Sequence, residues 1–365
     1  MPSDRNINIT LISGGSGSRT IQKALAKLTN IPISFSVIVN CYDNGKSTGW
    51  TRRFFRNEIL GPSDLRKNQL LRHRLIHGKT DLFNYLKHRF SVYSQKHLEQ
   101  EVSRITENIC SIVSQNQGLL LEEICNYFLS KTHEYSTINL VDFSYTNIIY
   151  GYLAYILGSM SNAASFMEDI LIIPKDSVVL NSDKNLFLKA YSHSGIKIND
   201  ESEIVAWNNS DDKIENIFLE DENGRNHIPN LSKLAKNILY KSDIVIFCPG
   251  TQFSSLFPTY LTNNFNQVIE ESSAEKYLII NNSEDKDMKG VNSLQFIQIL
   301  SKYLHIDKIH KLTVVYNSNA AEMMKYIDNS SKYIIDNFSP PKDNIHDGVK
   351  LMDSIFNDYR IKVRK

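Results

Sequence analysis

The feature that most constrains the fold recurs along the chain: a short apolar run stops abruptly at glycine or polar residues. "INITLIS" ends in "GGSGS" and leads into "RTIQKALAKL", where Ile21, Leu25 and Leu28 fall at helical spacing. That order reads as strand, tight turn and helix. "ISFSVIVNCYD", "KSDIVIFCPGTQF", "EKYLIINNS" and "HKLTVVYNSN" repeat the buried run with a polar end. Runs apolar on both faces suit strands covered by helices on either side. The alternation therefore predicts an α/β fold, a Rossmann-like doubly wound and mostly parallel sheet, with ligands at the carboxyl ends of the strands.

Two stretches depart from this rhythm. Residues 83–136 are long, amphipathic and poor in Gly and Pro, which predicts a helical insertion. From "DSVVLNSDKNLFLKAYSHSG" to "KIENIFLED", short alternating runs parted by "NNSDD" and "ENGRN" predict a small β excursion before the chain re-enters the sheet at Asp243.

The bulk properties exclude more than they identify. Lys plus Arg number 41 against 40 for Asp plus Glu, so no global field favours nucleic acid or an anionic membrane, and neither is an expected partner. Cys41, Cys110, Cys125 and Cys248 are scattered without a CxxC pair, which fits a reducing cytoplasm better than a disulfide framework or structural zinc. No apolar run approaches the roughly 20 residues of a membrane span, and the N-terminus has no signal-peptide order. A cytoplasmic protein is expected.

Chemistry gathers at the ends of the apolar runs. Gly14, Gly15, Ser16 and Gly17 lie where a strand turns into a helix, and missing Cβ atoms there let backbone approach a phosphate. A side chain at Gly15 or Gly17 should block that approach. After the second strand come Asn40, Asp43 and Asn44, then Gly45, Ser47 and Thr48, then Arg52 and Arg53. Carboxylate and amide oxygens suit a hard cation such as Mg²⁺, whereas hydroxyls and arginines suit phosphate oxygens. The fragment "GKST" in this loop is not a Walker A motif, because position 40 is Asn where that loop needs glycine. Spacing of the GxGxxG type is also absent, which argues against a nicotinamide cofactor. "LGPSDLRKNQ" adds Asp64 and Arg66 at a helix start, "VDFSYTNIIYGYL" adds Asn147, and "FCPGTQFSS" adds Gly250, Thr251, Ser254 and Ser255 at another strand-to-helix turn. Each could also serve as an ordinary helix cap.

Taken in order, these stretches resemble the CofD/YvcK family, with its GGTG loop, VNxxDDGGSSGRLR, PPGDIRN, GNL, GPGSLYTSIIPNLL and NxMTQPGET segments. The corresponding residues are "SGGSGS", "VNCYDNGKSTGWTRR", "GPSDLRKN", "TNIIYGYL", "CPGTQFSSLFPTYL" and "INNSEDKD", and "DESEIVAW" resembles the family's GESxI. The resemblance implies one CofD-like α/β domain over residues 1–365, with residues 83–136 inserted in it. It implies a nucleotide diphosphate-linked small molecule, GDP- or UDP-linked, as ligand, with a homodimer among the expected assemblies. CofD-type members transfer a phosphoryl-linked group to an acceptor hydroxyl, with Mg²⁺ and release of nucleoside monophosphate. YvcK-type members bind nucleotide sugars as regulators.

On the transferase reading, Asp43 and Asp64 hold the metal or orient the acceptor, so they are the catalytic and metal candidates. Gly14, Gly15, Ser16, Gly17, Asn40, Asn44, Lys46, Ser47, Arg66, Asn147, Gly250, Thr251 and Ser254 are the phosphate and nucleotide candidates. Three departures stand out: Asn44 replaces the second aspartate of the DD pair, Lys46 a glycine and Trp50 an arginine. Lys46 is expected to compensate by neutralising phosphate directly. NxMTQPGET survives only as Asn281 with acidic neighbours.

Overall fold

The computed structural model describes residues 6–28, 32–90, 95–132, 143–282, 285–309, 311–318, 332–339 and 345–363. Ten strands are present among them: β1 (Ile7–Ile12), β2 (Ile33–Val39), β3 (Val178–Leu180), β4 (Phe187–Ser192), β5 (Lys197–Ile198), β6 (Ile214–Glu220), β7 (Ile244–Phe247), β8 (Glu275–Ile279), β9 (Leu312–Asn317) and β10 (Lys332–Asp336). Seven form one sheet in the order β10-β9-β8-β7-β1-β2-β3, and every neighbouring pair is parallel. The expected doubly wound α/β architecture is therefore present. β7 and β9 are buried throughout, as strands covered on both faces must be, whereas β10 at the edge is half exposed.

Strand order fixes where a ligand belongs. The chain runs outward from β1 to β2 and β3, then returns to the other side of β1 as β7 and continues outward to β8, β9 and β10. Loops leaving β1 and β7 therefore diverge at their carboxyl ends, which opens a crevice at this topological switch point.

β4, β5 and β6 form a separate antiparallel sheet, in keeping with the expected excursion. "VVL" at 178–180 belongs elsewhere: it pairs with β2 as the last strand of the main sheet. All three residues are buried, so the run has the unbroken apolar character of the large sheet and not the alternation of a hairpin.

Helices at Asp81–Lys87, Gln95–Cys110 and Gln115–Thr132 lie in the stretch that breaks the strand and helix alternation, and residues 91–94 and 133–136 of the expected insertion fall outside the described residues. Trp50 explains how this helical part is fastened. Its ring meets Phe143 at 4.7 Å and 81° and Phe128 at 6.2 Å and 83°, both edge-on. The indole thus anchors helix Lys46–Phe54 to the helical layer by aromatic packing.

Candidate functional site

A recess of about 720 Å³ opens at the switch point, between the turns that leave β1, β7 and β8 and the helices Ser63–His77 and Glu201–Ala206. The turn after β1 is held from behind by buried amides. Asn68 donates to the carbonyl of Gly14 (3.0 Å), and Gln22 donates to Asn68 Oδ1 (2.8 Å) and to Ser18 Oγ (2.9 Å). This network fixes the loop without using groups at its front.

Within the loop the glycines have different reasons to be glycine. A Cβ at Gly17 would lie 1.7 Å from the carbonyl oxygen of Pro249, so Gly17 is where the turns after β1 and β7 touch backbone to backbone. A Cβ at Gly15 would instead meet Asp64 Oδ1 at 2.3 Å and the end of Lys67 at 2.7 Å. Gly15 therefore faces the charged pair on the helix start, where Lys67 Nζ lies 3.0 Å from Asp64 Oδ1.

The opposite wall follows β7. Asn281 clamps Gly250 through both its amide groups, accepting from the Gly250 N–H (2.8 Å) and donating to its carbonyl (2.9 Å). Asn281 also donates to Asp285 Oδ1 (2.6 Å). Beyond Gly250 the chain makes a π-helical turn, Gln252–Leu256, in which Ser254 Oγ donates to Thr251 Oγ1 (2.8 Å) and that hydroxyl to Ser255 Oγ (2.9 Å). The Ser254 N–H is taken by Asp287 (2.8 Å). Asn40 supports the turn from β2, donating to the Ser255 carbonyl (2.6 Å) and to Thr259 (3.1 Å).

Negative charge crowds the floor. Asp43 accepts from the Gly45 N–H (2.9 Å) and from Thr48 Oγ1 (2.8 Å), and it shares a further hydrogen bond with the Glu201 carboxyl. Burial, then the charge of Asp43, pushes Glu201 well above the ordinary carboxylate range, with Asp64 adding to the effect and Lys67 opposing it. Asp64 in turn raises Lys67. At the rim, burial and the nearby Asp287 push Asp285 up to about 8. Burial pushes His346 down to about 4, and its Nε2 donates to the carbonyl of Ile280 (3.0 Å), so a neutral ring lines the recess at neutral pH.

Of the residues singled out from sequence, Gly14, Gly15, Ser16, Gly17, Asp64, Gly250, Thr251, Ser255 and Asn281 line this recess. Asn40, Asp43 and Ser254 stand behind them in the contacts just given. Asn44 faces a different recess, and Lys46 is exposed and lines neither. Ser47, Arg66 and Asn147 gather elsewhere: Asn147 Nδ2 reaches Ser47 Oγ at 3.4 Å, and Arg66 donates to Ser144 Oγ. The recess adds Arg19, Lys67, Glu201, Asp285 and His346, which composition and spacing did not isolate. Glu201 lies in the GESxI-like stretch and Lys67 directly follows Arg66, so the same motifs contained both.

Among the described residues no three His, Cys, Asp or Glu side chains are arranged to hold a metal, and no helix is long and apolar enough to cross a membrane. Mg²⁺ commonly takes only one or two carboxylates and completes its shell with water and substrate phosphate. Asp43 and Asp64, with Glu201 crowded against them, meet that smaller requirement in donor chemistry.

Residues 9–352 match the family described as 2-phospho-L-lactate transferase CofD. Among curated relatives, a putative gluconeogenesis factor of Aquifex aeolicus is 22% identical over 76% of this chain and 68% of its own length. The gluconeogenesis factor of Listeria innocua is 23% identical over 77% of this chain and 68% of its own. A crystal structure of a UPF0052 family member from Bacillus halodurans superposes with a TM-score of 0.69 at 18% identity, covering 97% of this chain and 99% of that one, and thus shares the fold.

Proposed function

Because the chain belongs to the 2-phospho-L-lactate transferase CofD family, we propose that the switch-point recess takes a nucleotide diphosphate-linked small molecule and transfers its phosphoryl-linked group to an acceptor hydroxyl. The observation that carries this reading is the opposition of the Cβ-free Gly15 backbone to the Asp64 and Lys67 pair at the mouth of the crevice. Backbone without side chains admits phosphate oxygens closely, and Lys67 supplies a positive charge beside them.

In the step proposed, the acceptor oxygen forms a new bond to the transferred phosphorus. The phosphoanhydride bond breaks, and its electron pair leaves with the nucleoside monophosphate. Lys67 would offset charge growing on the bridging oxygen, where phosphoryl transfer needs help. Asp64 would orient the acceptor hydroxyl and receive its proton. Asp43 and Asp64 would hold Mg²⁺, which when bound neutralises phosphate charge. Asp285, protonated below about pH 8, offers the ligand a donor at the rim.

A second reading has its own observation. Both oxygens of Asp43 are already engaged, by Gly45 and Thr48, as in a loop-stabilising aspartate. That favours a nucleotide-sugar-binding regulator without turnover, and two relatives carry the name gluconeogenesis factor. The deciding measurement is release of nucleoside monophosphate from GDP-, UDP- and CDP-linked ligands, with and without Mg²⁺ and acceptor alcohols. Mg²⁺-dependent release that disappears in Asp64→Asn, with binding largely kept, supports transfer. Binding without release under every condition supports the regulator.

A further inference from the structure

The switch-point recess has two ends of different chemistry. Its cations, Arg19 and Lys67, come from the helices Arg19–Leu25 and Ser63–His77, beside the glycine turn after β1. β8 lies two strands further along the sheet, about 10 Å away at a strand spacing of roughly 4.8 Å. The residues that line the recess there are Asn281, Asn282, Asp285, Ile345 and His346, none of them a cation at neutral pH. His346 is held on several sides. The residue is 5% exposed, and its Nε2 donates to the Ile280 carbonyl at 3.0 Å, directly beyond β8. The next N–H, that of Asp347, donates to the Phe338 carbonyl (2.6 Å). Asp347 Oδ1 accepts from the N–H groups of Val349 (3.0 Å) and Lys350 (3.2 Å) and so caps helix Gly348–Val363. A Cβ at Gly348 would lie 2.1 Å from the Thr20 carbonyl oxygen, so the start of this helix also touches helix Arg19–Leu25 backbone to backbone.

With the proton on Nε2 and the ring neutral, Nδ1 carries a bare lone pair. Nδ1 has no hydrogen-bond partner among the described residues and is not one of the sealed, unpartnered atoms of the interior, so the lone pair is open to the recess that the ring lines. The neighbouring amides are occupied: Asn281 holds Gly250 and Asp285, and Asn282 Nδ2 donates to Ser339 Oγ (3.2 Å). A fixed, uncharged acceptor attracts an N–H or O–H donor. It offers nothing to an ionised phosphate, which presents only acceptor oxygens.

We propose that His346 is a specificity-determining residue of this recess: its Nδ1 accepts a hydrogen bond from the nucleoside part of the ligand, a ribose hydroxyl or a base N–H, while the phosphates lie at the glycine turn. The inference rests on the reading of the recess as a nucleotide site and adds which way round the ligand lies in it.

The test uses the full chain and three probes, GDP, UDP and inorganic pyrophosphate, titrated calorimetrically with Mg²⁺ present. Wild type should bind pyrophosphate and at least one of the nucleotides. His346→Phe keeps a ring without its nitrogens and should weaken nucleotide binding about three- to tenfold, as loss of one uncharged hydrogen bond does, with pyrophosphate binding unchanged. His346→Gln keeps a donor for Ile280 and an acceptor oxygen, and should recover part of that loss. An equal loss for GDP and UDP assigns the donor to ribose, and a loss for one alone assigns it to that base. Nitrogen-15 NMR of the histidine-labelled wild type supplies a readout that a merely structural ring would not move: the unprotonated Nδ1 resonance of His346 should shift on adding nucleotide and stay in place on adding pyrophosphate. Wild-type nucleotide affinity in both variants overturns the proposal, as does pyrophosphate binding weakened as much as nucleotide binding, or an Nδ1 resonance that nucleotide leaves in place. Wild type that binds pyrophosphate but neither nucleotide also overturns it. Wild type that binds none of the three probes overturns the nucleotide reading of the recess, and this inference with it.

Discussion

The two glycines of the first turn make a paired test, because the added methyl meets different kinds of atoms. In Gly15→Ala the new Cβ would lie 2.3 Å from Asp64 Oδ1 and 2.7 Å from Lys67 Cδ and Nζ, all ends of flexible side chains. Both can rotate away, at the cost of an ion pair whose lysine is 43% exposed, a contribution of about 0–1 kcal/mol. Unfolding entropy of roughly 2 cal/mol/K per residue over 365 residues gives about 0.8 kcal/mol/K, so Tm should fall by about 1 °C or less. Ligand affinity should fall much further. Displacing Lys67 removes a charge-assisted contact of about 1.5–3 kcal/mol, which is roughly ten- to hundredfold in Kd. Gly17→Ala differs because its methyl would lie 1.7 Å from the Pro249 carbonyl, and only backbone movement relieves that overlap. Overpacking of this kind costs about 1–3 kcal/mol, so Tm should drop by about 1–4 °C and binding should weaken with it. The assay is scanning calorimetry on each variant, with titration of whichever GDP-, UDP- or CDP-linked ligand most raises the wild-type Tm. An unchanged Kd in Gly15→Ala would refute the placement of the ligand at the switch point, and a wild-type Tm in Gly17→Ala would refute the tight loop contact.

Glu201→Gln should change how stability depends on pH. A carboxyl raised in the folded state stabilises fully below its unfolded pKa, about 4.3, and loses that contribution as pH rises through the folded value. The Tm advantage of Glu201→Gln over wild type should therefore grow as pH is raised from 5 to 9, and a constant difference in calorimetry would remove the claim. Asn44→Asp restores the aspartate of the family motif but takes away the amide that donates to the Leu188 carbonyl at 3.3 Å, and it adds charge beside Asp43 and Glu201. It should lose about 1–3 kcal/mol, read as a lower denaturation midpoint in urea, and a midpoint at or above wild type would count against this account. Lys46→Ala should leave ATP hydrolysis at background and reduce ligand affinity less than Lys67→Ala does, since Lys46 is exposed and outside both recesses. The reverse order in a titration would return Lys46 to the phosphates.

The fold was legible where burial on both faces writes an unbroken apolar run. β1, β2, β7, β8 and β9 each coincide with such a run ending in glycine or polar residues. "VVL" at β3 escaped because three residues carry too little period to separate a sheet edge from a hairpin strand. β10, "KYIID", is half exposed at the other edge and has no uninterrupted run to find. The turns that meet at the switch point could be identified separately, but their meeting depends on strand order, which no local pattern encodes.

The same limit separates the parts of the site. Spacing placed Asp43, Asn44, Lys46 and Ser47 in one loop, and proximity in sequence suggested proximity in use. The loop and the helix that begins at Lys46 turn those side chains in different directions: in the loop Asp43 meets Glu201 and Asn44 reaches β4, and in the first turn of the helix Lys46 is exposed and Ser47 meets Asn147. A carboxylate at position 44 could not donate to the Leu188 carbonyl, so the asparagine there is explained by the joint between the main sheet and the small antiparallel sheet. Trp50 likewise completes the aromatic seam with Phe128 and Phe143. Two of the three departures from the family motif thus strengthen contacts between layers. The cations that line the switch-point recess are Arg19 and Lys67, and the place of Lys67 beside Gly15 becomes visible only when β1 and helix Ser63–His77 are brought together.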